Sequence, residues 1–292
     1  MNAPTATASN DVSGDVPRTA APGADDALAA ALSAAAREAG AMALSFFRPG
    51  ARTSARIWNK AGGSPVTEAD VSVDAFLKVR LSALLPEAGW LSEETADNSD
   101  RIARRLVWIV DPIDGTRAFL NGHPDWSIAV ALLVDGAPAL GVVHAPAHDA
   151  HYAAIGGRGA RLNGASIAVA ARDTLVGARV AGPKPMIETL ARRAGPVEEA
   201  PKIPSLALRI ARIAAGEVDV GLVSGNARDW DLAAADLVLA EAGGTLSDVA
   251  GRQPVYNRRD PVHGELVATS RGLHPRLVEA MTTDGRAGDA VR

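Results

Sequence analysis

The apolar run Leu106-Val107-Trp108-Ile109-Val110 stops abruptly on Asp111-Pro112-Ile113-Asp114-Gly115-Thr116. Five consecutive apolar residues read as a buried strand. Two carboxylates three positions apart therefore arrive at the end of a core element. A buried carboxylate without a partner costs on the order of several kcal/mol, so these acids demand compensation, and a cation is the simplest form of it. Pro112 biases Asp111 toward an extended backbone, which should carry the strand up to the first acid. Beyond it, Asp111 and Asp114 are expected to converge on one ion, or a pair, from opposite sides of a tight turn. Gly115 permits close approach of a ligand to the backbone, and a short helix opening at about Thr116 would offer free N–H groups that favour phosphate.

The chain has 292 residues, 47% of them hydrophobic, enough to bury a large core as one domain or two closely packed halves. A formal net charge of −4 gives no basic surface for a nucleic-acid polymer. The absence of cysteine excludes thiol nucleophiles, disulfides and thiolate metal sites. The Ala-rich stretch 27–47 carries Arg37 and Glu38, so no membrane segment is expected. Residues 1–24 are rich in Ala, Thr, Pro, Ser and Asp and lack the apolar segment of a secretory signal. A disordered tail and a cytoplasmic protein are the expectations.

Helical periodicity runs from Leu28 through Leu32, Ala35, Ala39 and Met42 to about Phe47, behind Asp25 and Asp26 at the N-terminus. A Gly-rich loop at 61–65 leads to a second helix from about Thr67 to Pro86, with Val73, Phe76, Leu77, Leu81 and Leu84 on one stripe. Strands at 127–134 and 139–143 flank the hairpin signal Asp135-Gly136. Further strands are expected at 151–155, 176–181, 218–223, 245–248 and 265–269, and helices at 206–215, 230–242 and from His274. Gly243-Gly244 stops the 230–242 helix. Helices interleave with strands, and the hairpin makes the sheets mixed. A boundary near Gly164 would divide an N-terminal half, 25–164, from a C-terminal half, 165–292.

Three other acidic segments deserve weight beside the central one. Ser92-Glu93-Glu94-Thr95 follows apolar Trp90-Leu91, so one glutamate could face a metal while its neighbour faces water. Thr67 with Asp70 three positions later is a helix-capping arrangement, which could also hold a carboxylate beside the site. Asp229-Trp230-Asp231 opens a helix with more acid than a cap needs. His123, His144, His148 and His151 match no zinc spacing, Gly156-Gly157-Arg158-Gly159 reads as a turn, and Arg101, Arg104 and Arg105 read as a solvated face.

Taken together, these segments resemble the inositol monophosphatase-like superfamily of Mg2+-dependent, lithium-sensitive phosphatases. The resemblance rests on Ser64-Pro65-Val66-Thr67-x-Ala69-Asp70, Glu93-Glu94, Asp111-Pro112-Ile113-Asp114-Gly115-Thr116 and Trp230-Asp231 with Glu241-Ala242-Gly243-Gly244. It covers roughly residues 25 to 280. It implies an α+β fold of layered α-β-α-β-α architecture and hydrolysis of a small phosphate monoester, commonly by a homodimer. It further implies one Mg2+ on Glu93, Asp111 and the Ile113 carbonyl, and a second on Asp111, Asp114 and Asp231. Asp70 would support Thr116 and a weaker third ion. Thr116 and Glu93 would orient the attacking water, and the N–H groups of Gly115 and Thr116 would grip the phosphate. Hard divalent ions with oxygen ligands suit such chemistry, since two of them can clamp the entering and departing oxygens.

The leaving group is expected among Lys184, Arg209, Ser224 and Arg228. Where the inositol monophosphatases hold a glutamate to meet sugar hydroxyls, this chain has Ser224. Arg209 falls where the adenosine bisphosphate nucleotidase branch tends to have a lysine. A substrate with two phosphates needs a cationic clamp away from the metals. The favoured substrate is therefore 3'-phosphoadenosine 5'-phosphate, ahead of inositol phosphates. Histidinol phosphate stands third, with Asp229 as a partner for its ammonium. A regulatory binding protein on the same fold is the non-enzyme alternative.

Overall fold

The computed structural model describes residues 25–60 and 62–282; the tail expected at 1–24 lies outside them. Helix α1 (Asp26–Phe46) begins at Asp25, whose carboxylate accepts from the Leu28 N–H at 2.7 Å. A two-stranded antiparallel ribbon, β1 (Ile57–Asn59) and β2 (Pro65–Thr67), runs directly into α2 (Glu68–Leu84). Then come β3 (Gly89–Ser92), a 3-10 turn at 99–103, β4 (Leu106–Asp114), the short α3 (Thr116–Leu120), β5 (Ser127–Val134), β6 (Ala137–Ala145) and β7 (Ala150–Ile155). Strands β8 (Ala160–Leu162) and β9 (Ala165–Ile167) complete a seven-stranded sheet in the order β3-β4-β5-β6-β7-β8-β9, antiparallel except between β3 and β4. The chain continues through β10 (Arg179–Ala181), α4 (Lys184–Ala194), β11 (Glu198–Glu199), α5 (Leu206–Ala214), β12 (Val220–Val223), α6 (Asp229–Glu241), β13 (Gly244–Asp248), β14 (Leu266–Ser270) and α7 (His274–Thr282). Its five strands form a second mixed sheet ordered β11-β10-β12-β14-β13.

Side-chain alternation assigns the layers. On β4 and β5, Trp108, Val110, Ile128, Val130 and Leu132 pack with Leu32, Ala36, Val73 and Leu77 of α1 and α2. The intervening Ile109, Ala129 and Ala131 belong to a cluster with Ile210 of α5 and Leu237 of α6. That cluster also takes Leu246, Leu266 and Ala268 from the second sheet, whose opposite face, Val220, Leu222 and Val267, meets Ile187 of α4 and Leu277 of α7. The order is α1/α2, sheet, α5/α6, sheet, α4/α7, the five-layer sandwich the resemblance implies. Small residues set the middle spacing: a Cβ at Gly141 on β6 would stand 2.7 Å from the Ala234 carbonyl of α6. Apart from its apolar length, α1 has nothing of a membrane span, since Leu32, Ala35, Ala36, Ala39 and Ala43 are buried in the core.

Several expectations need revision. Strand β4 does not stop for a turn at its first acid but runs through to Asp114. The supposed boundary at Gly164 is a hairpin turn inside the first sheet, because Asn163 and Gly164 both adopt positive φ and join β8 to β9. Residues 176–181 yield only the three-residue β10. Helix α4, with prolines at 183 and 185, is not among the expected elements. Proline at the first turn starts a helix, and Met186, Ile187 and Leu190 bury its inner face.

Candidate metal centre and active site

The two acids of β4 reach one face of the sheet through a bulge. Asp111 pairs with Ala129 and Asp114 with Ser127, so three steps on β4 match two on β5. In a regular strand, residues three apart face opposite ways; the extra residue returns Asp114 to the side of Asp111. There they meet Asp231 in the first turn of α6, and ligand oxygens of all three carboxylates lie within 4.8 Å of one another.

Each acid is held by neutral donors that leave one oxygen for the shared space. Asp111 Oδ1 accepts from the Ile113 N–H at 3.0 Å. Asp114 Oδ2 accepts from Ser205 Oγ and from the Ala207 N–H, both at 2.6 Å, where the N-terminus of α5 adds its positive end. Asp231 Oδ2 accepts from the Arg228 N–H at 2.7 Å. Burial, reinforced by the charges of Glu93, Asp114 and Asp231, holds the Asp111 carboxyl well above the usual range. Burial likewise raises Asp114, against the two hydrogen bonds it accepts, and raises Asp231, with the Asp114 charge adding. Three crowded acids that resist ionising together are what a hard cation would relieve.

Thr116 stands between two acceptors, its Oγ1 3.2 Å from Asp70 Oδ1 and 3.1 Å from the Ile113 carbonyl. The capping reading of Asp70 and its site role coexist. One oxygen, Oδ2, accepts from the Thr67 N–H at 2.7 Å and Thr67 Oγ1 at 2.6 Å, closing the cap of α2, while the other faces Thr116. Burial pushes the Asp70 carboxyl up to about 6. Gly115 has φ +89°, and a Cβ there would sit 3.3 Å from the Ser205 Cβ and 3.2 Å from the Asp125 carbonyl. No side chain caps α3 behind it.

Glu93 does not join the three-acid group. Its Oε1 takes the Lys60 ammonium at 2.8 Å, and the same ammonium reaches Glu94 at 2.7 Å. One lysine just after β1 pairs with both glutamates, a contact that adjacent-residue reasoning could not foresee. Glu93 remains close enough for its charge to raise Asp111, Asp114 and Asp231.

A cleft of about 520 Å³ lies beside the start of α5 and the segment leading into α6, and none of the three acids lines it. Leu206 and Arg209 of α5 line one wall, beside the Ser205 and Ala207 donors; Ser224 to Ala227 line another, leading to Arg228 and Asp231. Lys184, Lys202 and Ser224 are exposed at its edge. Arg209 departs from expectation: its guanidinium donates to the Ile203 carbonyl at 2.9 Å and the Leu222 carbonyl at 3.1 Å, bracing the wall instead of offering a free fork. Arg228 is exposed and lies over the Trp230 ring at 5.4 Å. Asp229 is fully buried and bonded to His263 and Asn257, so it offers no partner for a substrate ammonium. Arg101, read as part of a solvated face, is only 2% exposed. Ser205 and Lys60 escaped sequence reasoning, because hydroxyl and ammonium groups are common and only tertiary contact with Asp114 or Glu93 marks them. Glu241 of the family-like segment is structural, accepting from the Gly157 and Gly159 N–H groups at 2.8 Å.

Five layers with a three-carboxylate pocket at a bulged strand end, beside a cleft for a small molecule, define a metal-dependent phosphoric monoester hydrolase. The chain belongs to the inositol monophosphatase family, whose model matches residues 24–285. It is 32% identical over 237 residues to the 3'(2'),5'-bisphosphate nucleotidase CysQ of Aggregatibacter actinomycetemcomitans, covering 77% of this chain and 83% of that one. It is 34% identical to the histidinol-phosphatase of Mycobacterium tuberculosis (76% and 86% covered) and 32% identical to inositol monophosphatase 2 of Solanum lycopersicum (84% and 95%). The crystal structure of the extragenic suppressor protein suhB from Bartonella henselae superposes with a TM-score of 0.75 at 25% identity, covering 89% of this chain and all of that one.

Proposed function

We propose that this phosphomonoesterase acts on a nucleoside bisphosphate of the 3'-phosphoadenosine 5'-phosphate type, releasing phosphate and leaving AMP. The observation that carries the reading is the cationic rim of the cleft, Lys184 and Lys202, set apart from the acids. A second phosphate needs such a counter-charge, whereas an uncharged polyol does not. The cleft volume falls within the range of roughly 300–1,000 Å³ typical of small-molecule sites. Arg209 contributes as a fixed positive charge in the wall. Glu199, also on the lining, favours binding through the lysines over a wholly positive funnel. The name of the nucleotidase relative agrees with the reading, but the identities to the three kinds of relative are too alike to decide it.

Asp111, Asp114 and Asp231 would hold Mg2+, which fits their hard oxygen set and the burial that holds their carboxyls above the usual range. Bound there, the metal supplies positive charge to the phosphoryl oxygens and makes water a competent nucleophile. The protein's own groups do the aiming. The Thr116 hydroxyl spends its single proton on Asp70 or the Ile113 carbonyl, which leaves its lone pairs to accept from the attacking water. Glu93 adds a second acceptor near the acids. Gly115, left-handed and tucked against Ser205, lets the backbone at the start of α3 approach the phosphate.

A kcat/KM panel with Mg2+ over 3'-phosphoadenosine 5'-phosphate, inositol 1-phosphate and histidinol phosphate tests the proposal. The bisphosphate should lead, and Lys184→Ala with Lys202→Ala should raise its KM while sparing inositol 1-phosphate. Faster turnover of inositol 1-phosphate would overturn the choice of substrate and leave the phosphatase assignment standing.

A further inference from the structure

The first turn of α6 is bolted from behind. The Asp229 carboxylate is fully buried, and both of its oxygens are occupied: Oδ1 lies 2.7 Å from His263 Nε2, and Oδ2 accepts from the Asn257 N–H at 2.7 Å. His263 is itself buried and joined by backbone bonds to the segment leading into α6, its N–H donating to the Ala227 carbonyl at 2.8 Å. Asp231, two residues on, is the α6 carboxylate that meets Asp111 and Asp114. Because a helical turn is rigid, the placement of Asp229 sets the placement of Asp231.

The bolt continues to the other side of the site. Asn257 stands in the left-handed region at φ +59°, and its side chain is gripped by Arg101: NH1 donates to Asn257 Oδ1 at 2.7 Å, and Asn257 Nδ2 donates to the Arg101 carbonyl at 3.2 Å. Arg101 also donates to the Arg258 carbonyl at 3.0 Å and makes a two-pronged pair with Asp97, at 2.6 and 2.8 Å. Asp97 lies on the segment that leaves β3 through Glu93 and Glu94. A nearly fully buried guanidinium thus joins the Glu93 segment to the base of the helix that carries Asp231.

We propose that Arg101 and His263 are positioning residues of the metal centre, acting through Asn257 and Asp229 to hold Asp231 at ligand distance from Asp111 and Asp114. Neither belongs to the three-acid group, and neither lines the cleft. The inference rests on the metal-centre reading given above. Partners that orient ligands from behind are typically worth about 10- to 100-fold in metal affinity or activity.

Mg2+ binding to the whole protein, followed by titration calorimetry, tests this without relying on turnover. His263→Ala and Arg101→Met should each weaken Mg2+ binding by about tenfold or more, with kcat recovering toward wild type at saturating Mg2+. His263→Gln, which restores a donor toward Asp229, should regain most of the affinity. Arg179→Met, which removes the ion pair with Asp219 in the second sheet, serves as the stability control and should leave Mg2+ affinity unaltered. Unchanged affinity in His263→Ala, or losses in His263→Ala and Arg101→Met no greater than in Arg179→Met, would overturn the proposal. Should His263→Ala fail to fold, the comparison of Arg101→Met with Arg179→Met decides it. Failure of the wild type to bind Mg2+ would instead overturn the metal-centre reading on which the proposal stands.

Discussion

Ser205 donates its hydroxyl proton to Asp114 Oδ2 at 2.6 Å, joining the N-terminus of α5 to the bulged end of β4 across 91 residues of chain. Ser205 Oγ also accepts from the Leu208 N–H at 3.0 Å as the cap of α5 and lies 2.9 Å from Ser127 Oγ. One hydroxyl therefore ends a helix and orients a carboxylate. Ser205→Ala removes both functions. A lost cap costs about 1 kcal/mol, and a buried carboxylate losing a donor costs roughly another 1–3 kcal/mol. Denaturant unfolding should register that loss, and the Mg2+ concentration giving half-maximal turnover should rise.

Asp114→Asn and Asp231→Asn are expected to lower kcat/KM by at least about 100-fold, a loss no smaller than that of outlying supports. The metal-free fold should survive both, because removing one charge relieves the crowding that raises the remaining acids. Melting of the metal-free variants at or above the wild-type temperature, together with the activity loss, checks both halves of the expectation. Near-wild-type turnover would remove these residues from the site.

The raised carboxyls make the effect of Mg2+ on stability depend on pH. A carboxyl whose value in the fold exceeds its unfolded value contributes stability that is fully present below about pH 4 and lost as pH rises through the folded value. For the metal-free protein that loss runs past about 6 for Asp70 and about 8 for Asp231. Mg2+ competes with those protons, so its stabilising increment should be small at pH 6 and larger at pH 8.5. Melting curves with and without Mg2+ across this window measure it. In Asp231→Asn the increment should flatten, since the carboxyl held at about 8 is gone. A pH-independent increment would contradict the assignment of these acids as ligands.

Gly115→Ala tests the backbone at the start of α3. Its φ of +89° strains any side chain, and the added Cβ would press on Ser205 and the Asp125 carbonyl. A residue forced into that conformation costs on the order of 1–3 kcal/mol. Activity should fall further than stability, because pressure on Ser205 disturbs the Asp114 carboxylate it holds and shifts the backbone at the start of α3. An alanine variant with wild-type kcat/KM would place the phosphate elsewhere.

Local chemistry was legible in the amino-acid order wherever a single segment contained its own explanation. Thr67 with Asp70 announced the cap that the structure closes, and Asp135-Gly136 announced the β5–β6 hairpin. The clustering of Asp111 with Asp114 followed from the cost of burying acids, although the means proved to be a bulge and not a turn. Helix α4 went unread behind its two prolines although Met186, Ile187 and Leu190 stand at helical spacing, and the ribbon β1–β2 went unread because three-residue strands carry no periodicity of their own.

The chain order alone therefore singled out Asp111 and Asp114 as acids that a core strand would crowd, and the family motifs they belong to, because burying charge is costly in any fold. Tertiary structure decided how the charges are shared. It paired Glu93 with Lys60, turned Arg209 onto backbone carbonyls, and buried Arg101 and Asp229 behind the helix that carries Asp231. The physical reason is that an ion pair or a hydrogen bond extends only about 3 Å. Residues separated by dozens of positions satisfy that distance only after the layers have packed.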